Sequence, residues 1–282
     1  MITDIRRTLP RAAWWGACLC LAVLFAYPLY VMVAQSLKSP KEAAEAPPTL
    51  YPHGLSLENY RSLGHTGNVS FTHHVMNSVQ VSIGATIGTA VLATLAGYAF
   101  AKLRFKGSGL LFFAILATFM IPFQAIITPL FSILHDLHLQ NSLLGLALVY
   151  MTFQLPFGVF LMRNSFASLP ASIEEAALID GCSTLRAMYR VLLPVAVPGL
   201  ISTALFTFFT CWNEFFAALI LVTDEDKFTL PVTLTTLSSN SFGTLNWGVM
   251  QAGVAVTVIP CVVLYLLLQR YYVSGLVAGA VK

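Results

Sequence analysis

The sequence predicts an all-α, polytopic membrane protein with six transmembrane helices and a helical cytoplasmic loop. Its residues are 57% hydrophobic and 10% charged, whereas a soluble domain has about 25% charged residues. The mean hydropathy is +0.77, and six windows of about 20 mainly apolar residues are long enough to cross a bilayer. A soluble core could not bury this much apolar surface, so the bilayer is the solvent that fits. The net charge of +3 is too small for a nucleic-acid-binding protein.

We expect the first predicted span to be retained rather than cleaved. Its uncharged run, residues 12–37, is longer than the apolar core of about 7–15 residues in a signal peptide. The fifth span is interrupted by Asn213 and Glu214. The predicted spans are residues 14–37, 75–101, 108–134, 140–162, 198–222 and 249–269.

The positions of Lys and Arg predict that both termini lie in the cytoplasm. With the N-terminus inside, eleven of the fifteen Lys and Arg fall on the cytoplasmic side, where membrane proteins carry their excess of basic residues. The polar residues 228–247 are predicted to form a partly buried outer loop. The predicted segments are a cytoplasmic N-terminus at 1–13, the first helix at 14–37, a proline-rich, extended outer loop at 38–74, a five-helix core at 75–270 and a cytoplasmic tail at 271–282.

The core contains a long cytoplasmic connection, residues 164–194, which we call the elbow loop. Ser172 and Glu175 have the spacing of a capping box, and Gly181 falls where a helix C-terminus needs a left-handed residue. Ser183 can cap a second helix that ends at Pro194. Local chemistry therefore predicts a short helix, a glycine turn and a second helix.

The charges of the elbow loop leave two interpretations open. Asp180 opposes the dipole of the first helix by about 0.3–1 kcal/mol. Glu174 and Glu175 are predicted to share a face with small alanines, which would permit a partner to approach closely. The first helix is therefore either an ordinary solvated helix or a partner-binding one.

The residues of the elbow loop resemble the EAA motif of binding-protein-dependent ABC transporter permeases. That motif reads EAA, three residues, Gly, nine residues, then I-x-L-P. Here Glu175-Ala176-Ala177, Gly181 and Leu193-Pro194 match it, and Val191 replaces the isoleucine. Further resemblance to the carbohydrate branch, and to the six-span subunit of maltose-type importers, is carried by Asn77-Ser78, Trp212-Asn213-Glu214 and residues 273–282.

This resemblance implies a type I ABC importer permease in the bacterial inner membrane. Its partners would be a homologous second permease, two ATP-binding subunits, an extracytoplasmic substrate-binding protein and a sugar. ATP and magnesium would belong to the ATPase, since this chain has no P-loop motif and is not expected to be an enzyme. Contacts to the binding protein would involve Ser239, Asn240 and Asn246. The implied ATPase-coupling residues are Glu175, Ala176, Ala177, Asp180, Gly181, Val191, Leu193 and Pro194.

Four polar residues within the predicted spans are candidates for the permeation path. A charged side chain at a helix centre costs about 2.5–3.5 kcal/mol on insertion scales, so Glu214 must face protein or water. Asn213 and Glu214 either line the permeation path or hydrogen-bond between helices. Gln124 and Gln154 each lie two residues from a proline, and they either satisfy free backbone carbonyls or contact a sugar.

Other functions remain as alternatives. The chain could be a permease of the same superfamily for glycerol phosphate, a polyamine or a peptide, or an ion-coupled secondary transporter, which would need titratable groups in its spans. No residue set typical of an intramembrane enzyme converges. His135, Asp136 and His138 have weak metal-ligand spacing and no fourth ligand, so we predict a solvated loop and no metal.

Overall fold

The computed structural model describes residues 11–45, 47, 49–64, 69–239 and 246–278, and within these residues it contains helices and no β-strand. A π-helical segment spans Met188–Leu192 and a 3-10 turn spans Glu225–Lys227. The α-helices are α1 (Arg11–Ser36), α2 (Pro40–Ala43), α3 (Glu58–Leu63), α4 (Phe71–Lys102), α5 (Ser108–Thr118), α6 (Phe123–Asp136), α7 (Leu143–Ala167), α8 (Ala171–Ile179), α9 (Thr184–Ala187), α10 (Leu193–Asn213), α11 (Phe216–Leu221), α12 (Leu230–Ser239) and α13 (Trp247–Ala278).

The predicted all-α membrane architecture is confirmed. In the described residues, five helical stretches are long and apolar enough to cross a bilayer, and one bent pair brings the number to six. Those five overlap the first, second, fourth, fifth and sixth predicted spans. The continuous fifth stretch is Thr184–Asn213, so the second elbow helix runs directly into the fifth span.

The third span differs from the prediction. It is not one helix over 108–134 but two, α5 and α6, which meet at an angle of 98°. Pro122 stands at the break with an extended backbone (ψ 132°). Proline has no N–H to donate and disfavours the helical conformation in the residue before it, so α5 stops short of it.

Two segments predicted as loops contain helices. Residues 230–239, within the loop expected at 228–247, form α12. The connection expected to be extended at 38–74 contains α2 and α3, and the second span begins within it, at Phe71. Hydroxyl-rich and proline-rich composition did not exclude helix here, because tertiary packing overrides weak local propensity.

The described chain divides into two units, each with its own interior. The first unit comprises residues 1–71 and 234–259. In it the buried amide of Asn59 donates to the carbonyl oxygens of Ser36 (3.1 Å) and Lys38 (2.7 Å). A Cβ at Gly248 would lie 2.6 Å from that amide, so glycine permits the last helix to approach Asn59.

A polar network orders the connection between the first and second spans. Glu42 Oε1 accepts hydrogen bonds from the backbone N–H of His53 (3.0 Å) and the hydroxyl of Thr49 (3.4 Å), and it lies 2.9 Å from His53 Nδ1. The fully buried Lys38 donates to the Thr49 carbonyl (2.5 Å). These bonds replace the extended conformation that the prolines predicted.

The second unit, residues 72–233 and 260–282, contains the elbow loop and the remaining spans. Small residues let its helices approach closely, as is common in membrane bundles. At Gly97 a Cβ would lie 2.7 Å from the backbone nitrogen of Arg163, and at Gly158 it would lie 3.0 Å from Ala93 Cβ. The second and fourth spans are therefore in near-backbone contact.

Candidate functional site

The turn in the elbow loop is a Schellman motif centred on Gly181. Gly181 has φ +83°, and its N–H donates to the Leu178 carbonyl (3.1 Å) while the N–H of Cys182 donates to the Ala177 carbonyl (3.0 Å). These are the two bonds that define the motif. The left-handed turn expected at this position is present.

The start of the first elbow helix differs from the capping-box prediction. α8 begins at Ala171 and its N-cap is Pro170, so Ser172 lies inside the first turn and does not cap it. Ser183 does occupy the N-cap position of α9, with an extended backbone but no side-chain capping bond. Pro170 starts the helix because its fixed φ (−56°) suits a helix boundary.

The two glutamates of the elbow helix face different surroundings. Glu174 is half-buried, and its Oε1 accepts a hydrogen bond from the Tyr98 hydroxyl (2.5 Å). Glu175 is exposed and has no hydrogen-bond or ion-pair partner in the part of the chain that the structure describes. They do not share one face, contrary to the expectation that both lie on a face with the small alanines.

The two alanines of the motif also differ in exposure. Ala176 is exposed, whereas Ala177 is 6% exposed and packs inside the elbow loop. Ile179 is 86% exposed, and Asp180 is exposed beside it. The outward surface of the elbow loop, which we call the elbow face, combines acidic and apolar side chains: Glu175, Ala176, Leu178, Ile179, Asp180 and Leu185.

The last residues of the motif lie in the helix that enters the membrane. Pro194 was predicted to end the second elbow helix, but the helix continues through it into α10. The π-helical turn Met188–Leu192 ends two residues before Pro194, and the Leu193 N–H donates to the Met188 carbonyl. A proline cannot donate to the preceding turn and crowds the carbonyl four residues before it, and the wider turn accommodates it. Val191 and Leu193 are half-buried beside it, and Pro194 is exposed.

A cavity of about 200 Å³ lies at the break in the third span. Phe123 and Phe153 meet edge to face at 4.5 Å on its wall. A mostly apolar wall with a few polar groups is typical of small-molecule sites, and broken membrane helices are tolerated where they line such cavities. The lining residues are Phe123, Gln124, Tyr150, Phe153, Gln154, Thr210, Cys211, Glu214, Phe216 and Ala217.

Glu214 is bonded within the protein as well as lining this cavity. Its Oε2 accepts from the Tyr150 hydroxyl (2.7 Å), and both carboxylate oxygens accept from the Ala217 backbone N–H (3.0 and 3.1 Å). The carboxylate therefore stabilises the start of α11 and links it to the fourth span. Asn213 is exposed, does not line the cavity, and donates to the Phe209 carbonyl (2.8 Å).

Gln124 and Gln154 come together with Glu214 in this cavity. Neither amide is hydrogen-bonded to another residue among the described parts of the chain. The prediction that they satisfy backbone carbonyls beside prolines is therefore not supported by the geometry, and both amides remain available to a ligand.

The predicted contacts to a binding protein are only partly within the structure. Asn240 lies outside the described residues, and Ser239 is the last residue of α12. Asn246 is exposed, and its side-chain oxygen accepts from the Val249 N–H (3.2 Å). This bond caps the start of α13.

No group of three or more metal-ligating side chains converges among the described residues. His135 Nδ1 instead pairs with Gln140 Oε1 at 2.9 Å.

Three residues of the site, Tyr98, Tyr150 and Lys102, were not predicted from the sequence. The available signal was a hydroxyl or ammonium group within or at the end of a span, which has to find a partner.

Comparisons with known proteins agree with this geometry. A family model described as binding-protein-dependent transport system inner membrane component matches residues 66–277. The chain is 34% identical to the inner membrane ABC transporter permease protein YcjP of Escherichia coli (strain K12), over 98% of both chains. It is 34% identical to the diacetylchitobiose uptake system permease protein DasC of Streptomyces coelicolor, over 91% of both. The fold matches a chain of a bacterial ABC transporter involved in the import of the acidic polysaccharide alginate, with a TM-score of 0.79, 24% identity, and coverage of 93% of this chain and 95% of that one.

Proposed function

Because this chain belongs to the family of binding-protein-dependent transport system inner membrane components, we propose that it forms half of the translocation pathway of an ATP-driven importer for a sugar or oligosaccharide. The other half is a homologous second permease. Two ATP-binding subunits lie on the cytoplasmic side, where they hold the ATP and magnesium, and an extracytoplasmic binding protein delivers the substrate. Both termini and the elbow loop lie in the cytoplasm.

The composition of the elbow face is the observation that supports coupling to the ATPase. Glu175 and Asp180 are exposed acids, and Ile179 beside them is 86% exposed. Leu178 and Leu185 on the same face are exposed as well, and a group of exposed apolar side chains within a polar rim is typical of a protein-binding surface. A helix lying on lipid would instead be basic on its polar side. We therefore assign this face to the ATPase, with Glu175 opposite a basic group.

The proposal of a sugar substrate is supported by the relatives and by the lining of the cavity. DasC is described as part of a diacetylchitobiose uptake system. The cavity offers two amides without partners, Gln124 and Gln154, between aromatic walls. Amide groups can donate to and accept from hydroxyl groups, and the cavity carries no Lys or Arg that would select an anion. A neutral, hydroxyl-rich solute fits this lining.

A charge reversal on the elbow face tests the coupling role. Glu175→Arg places like charges at the contact, and we expect it to abolish co-purification of the ATPase with the membrane subunits. Glu58→Arg, an exposed acid outside the elbow loop, is the matched control and keeps the ATPase bound. Normal ATPase recovery with Glu175→Arg would show that the elbow face is not the docking surface.

A further inference from the structure

The first elbow helix, α8, which we call the elbow helix, is held on the second span by two hydrogen bonds. The Tyr98 hydroxyl donates to Glu174 Oε1 (2.5 Å), and one helical turn later Lys102 Nζ donates to the Leu169 carbonyl (2.7 Å). Residues 98 and 102 lie on one side of α4, because side chains four apart share a helix face. They hold both the segment before α8 and the first turn of α8 itself.

This attachment is buried at its base. Tyr98 is 4% exposed, and its ring meets Phe166 edge to face at 5.6 Å. Ile173 and Leu169 pack beside the same buried cluster. Apolar packing is non-directional, whereas the two hydrogen bonds fix the orientation of the elbow helix on α4.

The elbow loop is thus joined to the membrane core at both ends. Its second half continues as helix from Thr184 to Asn213, and its first half is bonded to the second span. Gly181 lies between them, with φ +83° and no atom within 4 Å of an added Cβ. A force applied to the elbow face can therefore be transmitted to the fifth span through continuous helix and to the second span through hydrogen bonds.

We propose that Tyr98 and Lys102 are positioning residues that hold the elbow helix on the second span and pass its movement to that span. Glu174 is the acceptor for Tyr98 rather than a contact of the ATPase. This proposal rests on the proposed function, since it takes the ATPase as the source of the movement. It assigns the two adjacent glutamates different tasks, with Glu174 facing inward and Glu175 outward.

The test uses the importer assembled from this chain and its partner subunits. Tyr98→Phe keeps the ring against Phe166 and removes only the hydroxyl. We expect the ATPase to remain bound and active, while the amount of substrate imported per ATP falls by half or more. Amides of α8 should exchange hydrogen about tenfold faster, because a hydrogen bond to a charged group is lost. Tyr265→Phe, at an exposed tyrosine in the last helix, is the control and should change neither quantity.

A double-mutant comparison separates this role from a general loss of structure. Glu174→Ala should lower import per ATP as Tyr98→Phe does, and the double variant should fall no further, because paired residues are non-additive. Glu174→Gln keeps an acceptor oxygen and should retain most of the coupling. Lys102→Met should reduce coupling through its separate bond.

The outcomes distinguish the two proposals. Unchanged import per ATP in both Tyr98→Phe and Glu174→Ala, with the ATPase still lost in Glu175→Arg, would overturn the positioning role alone. Additive losses in the double variant would also contradict it. An ATPase that stays bound to Glu175→Arg would instead overturn the docking of the ATPase on the elbow face, which is the coupling role in the proposed function.

Discussion

Glu174 and Glu175 are neighbours in the chain, but Glu174 is half-buried against Tyr98 whereas Glu175 is exposed. The EAA motif marks the position of Glu175, and local backbone rules predict the left-handed turn at Gly181, because glycine adopts a positive φ at no steric cost. The Tyr98–Glu174 bond joins residues 76 apart in the chain. Such a contact depends on how the spans pack, which no local pattern specifies.

Replacing Gly181 tests whether the turn matters for function as well as for folding. A side chain there meets open space, so Gly181→Ala adds only the strain of its positive φ, about 1–2 kcal/mol. Gly107→Ala is a matched control with the same φ of +83° and equally open surroundings. We expect thermal unfolding to show similar small losses for both variants, and uptake to fall in Gly181→Ala alone. Equal uptake in the two would show that the elbow turn has no special role.

The free amide of Gln154 provides a test of the cavity. Gln154→Leu keeps the size of the side chain and breaks no hydrogen bond among the described residues. The free energy of unfolding should therefore stay unchanged. If the amide contacts the sugar, the KM for uptake rises about tenfold, the effect of losing one hydrogen bond of about 1.4 kcal/mol. Gln269→Leu, an exposed residue outside the cavity, should leave KM unchanged. An unaltered KM in Gln154→Leu would mean that the cavity does not contact substrate.

At the scale of elements, composition predicted which segments are apolar helices but not where they bend. Pro122 breaks the third span, whereas Pro156 lies inside the continuous helix α7. Both are prolines in apolar windows, so the residue type alone does not distinguish them. Neighbouring helices decide which break is tolerated, because they resupply the freed backbone groups.

The contact between the second and fourth spans should be sensitive to one methyl group. At Gly97 an added Cβ would lie within 2.6–2.8 Å of Met162 and of the Arg163 backbone nitrogen, and backbone atoms cannot move aside as a flexible side chain can. Gly97→Ala should therefore destabilise the protein by about 1–3 kcal/mol in a thermal unfolding assay. Gly109→Ala, with nothing within 4 Å, should be neutral or slightly stabilising, because alanine favours helix. Equal melting temperatures would contradict the close approach.

The polar network around Glu42 should make the connection between the first two spans sensitive to acid. The backbone hydrogen bond from His53 lowers the pKa of the Glu42 carboxyl below 4.5, and the imidazole and Lys38 act in the same direction. The stabilisation of this connection by the ionised Glu42 carboxylate is thus complete above about pH 4.5, and it is lost as the pH falls through the lowered pKa. We expect limited proteolysis within residues 38–64 to accelerate at that acidic pH. Glu42→Gln should remove this dependence, and the exposed control Glu45→Gln should keep it.

At the scale of the whole molecule, the chain is an inner-membrane, multi-pass component of a transport system, and the sequence predicted this from hydropathy and the EAA spacing. The bend in the third span, the helix α12 and the cavity were beyond the sequence, because each depends on contacts between segments far apart in the chain. The orientation rests on the distribution of Lys and Arg. The coupling role therefore depends most on which side of the membrane the elbow face occupies and on which protein covers it.

Labelling of a cysteine at position 175 tests this most directly. In a chain whose five native cysteines are replaced, Glu175→Cys should react with an impermeant maleimide only in inside-out vesicles stripped of ATPase, and rebinding the ATPase should block the reaction. Lys106→Cys, exposed in the turn between α4 and α5, should react on the same side without protection. Reaction of Glu175→Cys in right-side-out vesicles, or undiminished reaction with the ATPase bound, would contradict a cytoplasmic elbow face that the ATPase covers.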